Sequence, residues 1–158
     1  MDIKFAIITC SDTRSLEEDT AGARLEELIR ENGWTVVNHV IVKDEVDDIA
    51  REILHASDTL NCDIVLTCGG SGLSLRDVTP EATRQVCDRE VPGIAEAMRA
   101  YSLTKTGRAM LSRAIAAQRG RTLIVNLPGS LKAAEENWEG VYEQFEHAAH
   151  MMAGEGHK

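Results

Sequence analysis

Short, uninterrupted apolar runs, each closed by a turn and followed by an amphipathic stretch, leave this chain few folds to choose from. Residues 3–10 (IKFAIITC) are apolar and rich in β-branched types, the pattern of a strand buried on both faces. Residues 35–42 (TVVNHVIV), 63–67 (DIVLT) and 122–126 (TLIVN) read as further strands. Helical patterns lie between them. One begins at Asp19, carries Ala21, Leu25, Leu28 and Ile29 on one face and stops at Asn32-Gly33. A second aligns Val46, Ile49, Ala50, Ile53 and Leu54. Thr79-Pro80-Glu81 opens a third, with Thr79 as N-cap, proline at the first helical position and an acid in the first turn. Val91-Pro92-Gly93 breaks the chain before a short helix with Ile94, Ala95, Met98 and Tyr101. A single last helix carries Ala134, Trp138, Val141, Tyr142 and Phe145 on one side. Strand alternating with helix predicts an α/β fold with helices on both faces of the sheet, and ligands beyond the carboxyl ends of its strands. With 158 residues, the chain suits one domain, residues 1–153, followed by a frayed tail, 154–158.

Charge and composition remove several function classes. Seventeen basic residues against 26 acidic ones give a net charge of −9, which disfavours non-specific nucleic-acid binding. An anion can still be held locally by backbone N–H groups and one or two arginines. No apolar stretch reaches the ~20 residues that span a bilayer. The start shows neither a basic leader nor a cleavage site, so the expected location is the cytoplasm. Cys10, Cys62, Cys68 and Cys87 form no Cys-x-x-Cys pair and read as reduced, buried thiols. The five histidines are scattered and suggest no metal site.

The residues that can carry chemistry cluster at the expected strand ends. Gly69-Gly70-Ser71-Gly72 follows a buried strand. It reads either as a tight turn or as a phosphate cradle, since glycines let the backbone approach a ligand. No Gly-Lys-Ser/Thr follows, so it is not a Walker A loop. The first strand ends in Thr9-Cys10-Ser11-Asp12 rather than in a dinucleotide-binding glycine fingerprint. Asp77 stands just before a helix, and Asp44-Glu45 stands where the second strand ends. Each carboxylate could be a helix-start residue, or together they could hold Mg²⁺ beside substrate phosphates. Ser112-Arg113 would suit a terminal phosphate, and Leu127-Pro128-Gly129-Ser130 is a turn.

Taken together, these strings resemble a known signature. Thr67-Cys68-Gly69-Gly70-Ser71-Gly72, then Arg76-Asp77-Val78-Thr79-Pro80-Glu81-Ala82, is similar to the core motif of the MogA/MoaB-type molybdenum-cofactor proteins, a group that includes the gephyrin G domain. Glu90-Val91-Pro92-Gly93, Leu111-Ser112-Arg113 and Asn126-Leu127-Pro128-Gly129-Ser130 continue the likeness, which runs from Ile3 to about Ala149. The resemblance implies a three-layer α/β/α domain with a mainly parallel sheet, and transfer of AMP from Mg-ATP to the terminal phosphate of molybdopterin. It implies Asp44 and Asp77 as the catalytic, magnesium-holding carboxylates. Ser11, Gly69, Gly70, Ser71 and Gly72 would bind nucleotide and pterin, with Pro128, Gly129 and Ser130 alongside. Ser102, Ser112 and Arg113 would hold molybdopterin and its phosphate.

As partners the resemblance implies the small-molecule substrates, other proteins of molybdenum-cofactor biosynthesis, and further copies of the chain in a trimer or a hexamer. Met98, Tyr101, Met110 and Leu111, around Gly107, are the sequence's own candidates for such a contact. A non-catalytic pterin carrier or scaffold is the alternative within the group; the string from Arg76 to Pro80 favours catalysis because it keeps a second carboxylate beside Asp44. The Leu-Ser-Arg and Leu-Pro-Gly-Ser segments favour the pterin proteins over the related domain of competence-damage proteins. The chain departs from the pattern at Cys68 and Ser71, where threonine is common, at Ala117 and Leu131, and at Arg14, which is displaced along its loop.

Overall fold

A computed structural model describes residues 2–155. Its strands are β1 (Lys4–Cys10), β2 (Thr35–Val42), β3 (Ile64–Cys68), β4 (Arg89–Glu90), β5 (Ala116–Arg119) and β6 (Thr122–Leu127). Its α-helices are α1 (Thr20–Glu31), α2 (Val46–Leu54), α3 (Thr79–Val86), α4 (Pro92–Leu103), α5 (Leu131–Glu139) and α6 (Phe145–Met152). One sheet runs in the order β2-β1-β3-β6-β5-β4. The first four strands in that order pair in parallel, and β5 and β4 add an antiparallel edge.

The layers follow from the apolar patterns. On one face Phe5, Ile7, Ile64, Leu66 and Val125 meet Leu25 and Ile29 of α1, Met98 of α4, Trp138 of α5 and Phe145 of α6. On the other, Ala6, Ile8, Val65 and Ile124 meet Ile49 and Ile53 of α2 and Ala82 of α3. Strands buried on both sides must be apolar throughout, and each fully buried Ile or Leu contributes about 1.5–3 kcal/mol. The large side chains concentrate under α5: the Phe5 ring stacks on Trp34 at 5.3 Å, and Trp138 stacks on Tyr142 at 5.5 Å. No helix of the described residues is long and apolar enough to cross a membrane.

Four expectations need correction. Thr79 does not cap α3; it is fully buried and its hydroxyl donates to the Gly69 carbonyl at 2.9 Å. The last helix is two helices, α5 and α6, joined through Gly140 and a 3-10 turn, Tyr142–Gln144. A Cβ on Gly140 would lie 3.0 Å from that of Tyr101, so the break lets α4 and α5 approach closely. Met98 is core rather than surface, whereas Met110 and Leu111 stay exposed. Gly154 and Glu155 still hydrogen-bond back to α6, through Met151 and His150. The rest of the expected frayed tail, 156–158, lies outside the described residues.

One buried polar network ties α1 to the sheet. Asp19 caps α1 by accepting from Gly22 N at 2.9 Å. Its other oxygen takes the Thr9 hydroxyl and His39 Nε2, the latter at 2.9 Å. His39 Nδ1 lies 3.0 Å from Glu26. Both ring nitrogens therefore face carboxylates, as a charged imidazolium requires. Burial works against that charge, but the hydrogen bonds and charges of Asp19 and Glu26 outweigh it and hold the His39 pKa above its ordinary 6.5. A raised native pKa means that the pair stabilises fully below the unfolded value and fades as pH rises through the native one. His39→Gln should cost about 3 kcal/mol in urea unfolding at pH 6, as for breaking a buried pair, and clearly less at pH 9. An equal loss at both pH values would contradict a charged ring.

Candidate functional site

The sheet order reverses at β1: the chain leaves it for β2 on one side and returns to β3 on the other. A crevice opens at such a switch point, beyond the carboxyl ends of the strands. Three loops meet there, after β1, β3 and β6. Gly69 takes φ +101 and Gly70 φ +74, a region that favours glycine. Gly69 N donates to the Leu127 carbonyl at 2.9 Å. A Cβ on Gly69 would come 2.6 Å from the Cys10 carbonyl, and one on Gly129 would come 3.2 Å from Gly69 Cα. Arg14 clamps the same junction by donating to the Gly129 carbonyl at 2.7 Å. The Cys68 thiol crosses it too, donating to the Pro128 carbonyl at 3.2 Å. Burial pushes the Cys68 thiol up to about 12, so it serves packing and not nucleophilic attack.

A cavity of about 340 Å³ opens beside this junction. Of the residues singled out in the sequence, Gly69, Gly70, Ser71, Gly72, Asp77, Ser102, Ser112, Pro128 and Gly129 line it. Gly69 and Gly72 give their N–H groups to Leu127 and Asp77. Those of Gly70 and Ser71 meet no acceptor among the described residues. Ser102 is buried and its oxygen accepts from Asn137 Nδ2 at 3.1 Å, leaving its proton to donate. Ser112 Oγ accepts from Ala114 N at 3.2 Å.

The two carboxylates bracket the glycine loop. Asp77 Oδ2 accepts from Gly72 N at 3.1 Å and from Ser74 N at 3.2 Å. Asp44 exchanges backbone hydrogen bonds with Asp12: Asp12 N donates to Asp44 Oδ2 at 3.1 Å, and Asp44 N to Asp12 Oδ1 at 3.0 Å. Arg76 locks the arrangement by pairing with Asp12 at 3.0 Å and Glu45 at 3.0 Å. Asp44 Oδ1 is buried and has no hydrogen-bond partner among the described residues. It faces the loop, 3.3 Å from where a Gly70 Cβ would stand. Burial first, then the charges of Asp12 and Asp77, push the Asp44 pKa up. An orphaned anionic oxygen among like charges fits a cation. Among the described residues no group of three or more His, Cys, Asp or Glu forms a complete cage, so a metal there would need ligand oxygens from elsewhere, as Mg²⁺ commonly takes from phosphates.

Other residues fall elsewhere. Arg113 does not line the cavity: its guanidinium donates to Gly72 O at 2.7 Å and Asp77 O at 2.9 Å, and pairs with Glu81 at 2.7 Å. It braces the loop that carries Asp77. Ser11 shapes the turn after β1, accepting from Arg14 N at 3.0 Å, and Ser130 caps α5 by accepting from Ala133 N at 3.4 Å. The cations on the cavity wall are Arg99, which donates to Ala114 O at 2.7 Å, and Arg108. The sequence reading did not single out Arg99 or Arg108. Asp12 and Arg76 stood in the quoted strings, but no role was read for either, because only the fold brings them together.

Comparison with known proteins gives a consistent pattern. Residues 6–147 match the family model described as a probable molybdopterin binding domain. The chain is 36% identical over 156 residues to a molybdopterin adenylyltransferase of Helicobacter pylori strain J99, covering 96% of this chain and 89% of that protein. It is 40% identical over 131 residues to molybdenum cofactor biosynthesis protein B of Bacillus cereus, covering 82% and 78%. The crystal structure of the molybdopterin biosynthesis enzyme MoaB from Thermus thermophilus superposes with a TM-score of 0.89 at 42% identity, over 99% of each chain.

The loop junction makes its own prediction. Gly69→Ala forces a side chain into a positive φ and against a backbone oxygen, so it should destabilise by about 1–3 kcal/mol or more. Thermal unfolding measures it; a Tm within a degree of wild type would show that the loops can separate without cost.

Proposed function

The chain belongs to the family of the probable molybdopterin binding domain, and from that premise we propose that it is a molybdopterin adenylyltransferase of molybdenum-cofactor biosynthesis. An oxygen of the terminal phosphate of molybdopterin attacks the α-phosphorus of ATP. The bond from that phosphorus to the bridging oxygen breaks, and pyrophosphate leaves with the electron pair. The observation that carries the reading is the bracketing of one glycine loop by two carboxylates, Asp44 beside Gly70 and Asp77 beside Gly72, with Asp44 Oδ1 left without a partner.

The residues suit this chemistry. The attacking phosphate is already an anion, so no strong base is needed, and catalysis rests on position and charge. Gly70 and Ser71 offer two N–H groups to phosphate oxygens. Ser102 and Ser112 each keep a proton to donate into the cavity. Arg99 fixes the Ser112 segment through the Ala114 carbonyl, and Arg113 fixes the loop between Gly72 and Asp77. Asp44 and Asp77 would hold Mg²⁺, which when bound supplies the positive charge that offsets the phosphates. The four free cysteines suit a reducing compartment, and we assign the enzyme to the cytoplasm.

Two carboxylate variants test the reading. Asp77→Asn keeps an oxygen for Gly72 N and Ser74 N but loses the charge, so kcat for adenylylated pterin should fall about a hundredfold or more with the fold intact. Asp44→Asn should abolish Mg-ATP-dependent turnover while equilibrium titration with molybdopterin is nearly unchanged. It should also raise the Tm slightly, because a carboxylate whose pKa is pushed up destabilises the fold when ionised. Wild-type turnover in either variant would reduce that carboxylate to a loop brace; selective loss of pterin affinity in Asp44→Asn would reverse the assignment.

The exposed Met110 and Leu111 beside the cavity support an assembly, and we read it as a closed trimer. Light scattering should then give the mass of three 17.3 kDa chains. A fully active monomer at high concentration would contradict the trimer, and twice the trimer mass would indicate a hexamer.

A further inference from the structure

The cavity wall carries one acid to which the reaction gives no task. Two carboxylates line the cavity, Asp77 and Glu136. Asp77 already accepts two backbone N–H groups. Glu136 lies half-buried on α5, and its carboxylate accepts no hydrogen bond and forms no ion pair among the described residues. The neighbouring residues of α5 have partners of their own. Asn137 Nδ2 donates to Ser102 Oγ at 3.1 Å and to Ala133 O at 2.8 Å. The Tyr101 hydroxyl donates to Glu139 at 2.5 Å, and Arg24 pairs with Glu135 at 3.6 Å. The rest of the cavity wall mixes apolar Ala133, Pro128 and Leu111 with the cations Arg99, already bound to the Ala114 carbonyl, and Arg108.

A carboxylate drawn partly out of water beside apolar surface gains most from a ligand that presents two adjacent N–H groups, one for each oxygen. The two substrates of the proposed reaction differ on this point. The pyrimidinone edge of a pterin offers N3–H and the 2-amino group side by side. The corresponding edge of adenine offers one amino donor beside the N1 lone pair, which a carboxylate repels. We propose that Glu136 is the specificity-determining residue of the cavity: it accepts both donors of the pterin edge and so assigns this wall to the pterin and not to the adenine of ATP. The inference rests on molybdopterin being the substrate, and it adds a residue that neither the sequence motifs nor the carboxylate pair contains.

Glu136→Gln tests it, because glutamine keeps the size and helix preference but turns an amide donor toward one of the pterin donors. Fluorescence titration with molybdopterin, without ATP, should show a Kd raised about ten- to a hundredfold, as for loss of a bidentate base contact. The KM for ATP and the Tm should stay at their wild-type values. A second titration with the lumazine counterpart, which carries an oxo group in place of the 2-amino group, should show strong discrimination by wild type and little by the variant. An unchanged molybdopterin Kd overturns the proposal. So does an equal loss of affinity for both substrates, or discrimination that survives the substitution. A wild-type protein that binds molybdopterin but forms no adenylylated product overturns the reaction while the titration still judges Glu136. A wild type that binds no molybdopterin overturns both.

Discussion

Gly69 stands where three strand ends converge, and its missing side chain decides how close they come. A Cβ there would lie 2.6 Å from the Cys10 carbonyl, so any other residue would force β1 and β3 apart at their carboxyl ends. The approach of Gly129 from the β6 side is nearly as tight. The junction is then bonded from every direction: Gly69 N to Leu127, the Thr79 hydroxyl to Gly69 O, the Cys68 thiol to Pro128 and Arg14 to Gly129. Thr79 begins α3, so the same contact aims the loop that contains Asp77. Loops held this firmly can keep a reactive arrangement preorganised, which is what catalysis by position requires.

The acids of the site are arranged differently from those of the core. Asp19 is fully buried yet satisfied, with His39, Thr9 and Gly22 around it, and burial with an opposite charge stabilises the fold. Asp44 has neighbours of its own sign and one oxygen with no partner. Arg76 and Arg113 offset part of that tension, but both point their charge at Asp12, Glu45 and Glu81 or at carbonyl groups. The site is thus braced by arginines and left anionic at its centre. A stored electrostatic cost of this kind is common where function needs a cation.

The parallel core was legible because strands buried on both faces must be continuous apolar runs, and residues 3–10, 63–67 and 122–126 are such runs; residues 35–42 form an edge strand with no fully buried residue. β4 was not, since Arg89–Glu90 is two exposed residues whose pairing with β5 is decided by the sheet. The break at Gly140 escaped because Trp138 and Tyr142 keep helical spacing across it. In the site, strand-end glycines and carboxylates carry their meaning in local sequence. Arg113 does not: adjacency to Ser112 says nothing about which way a long side chain turns, and here it turns toward Gly72, Asp77 and Glu81. Glu136 lay unmarked within a helix pattern, and only the path of α5 past the cavity gives it significance.

The proposed reaction moves the α-phosphate of ATP, as AMP, onto the pterin. It is tested most directly by incubating the protein with molybdopterin, magnesium and ATP labelled at either the α- or the γ-phosphorus, and separating the pterin from pyrophosphate. Adenylyl transfer puts α-label in the pterin and γ-label in pyrophosphate, in equal amounts. Label from the γ position in the pterin, or α-label that never leaves the nucleotide, would contradict it.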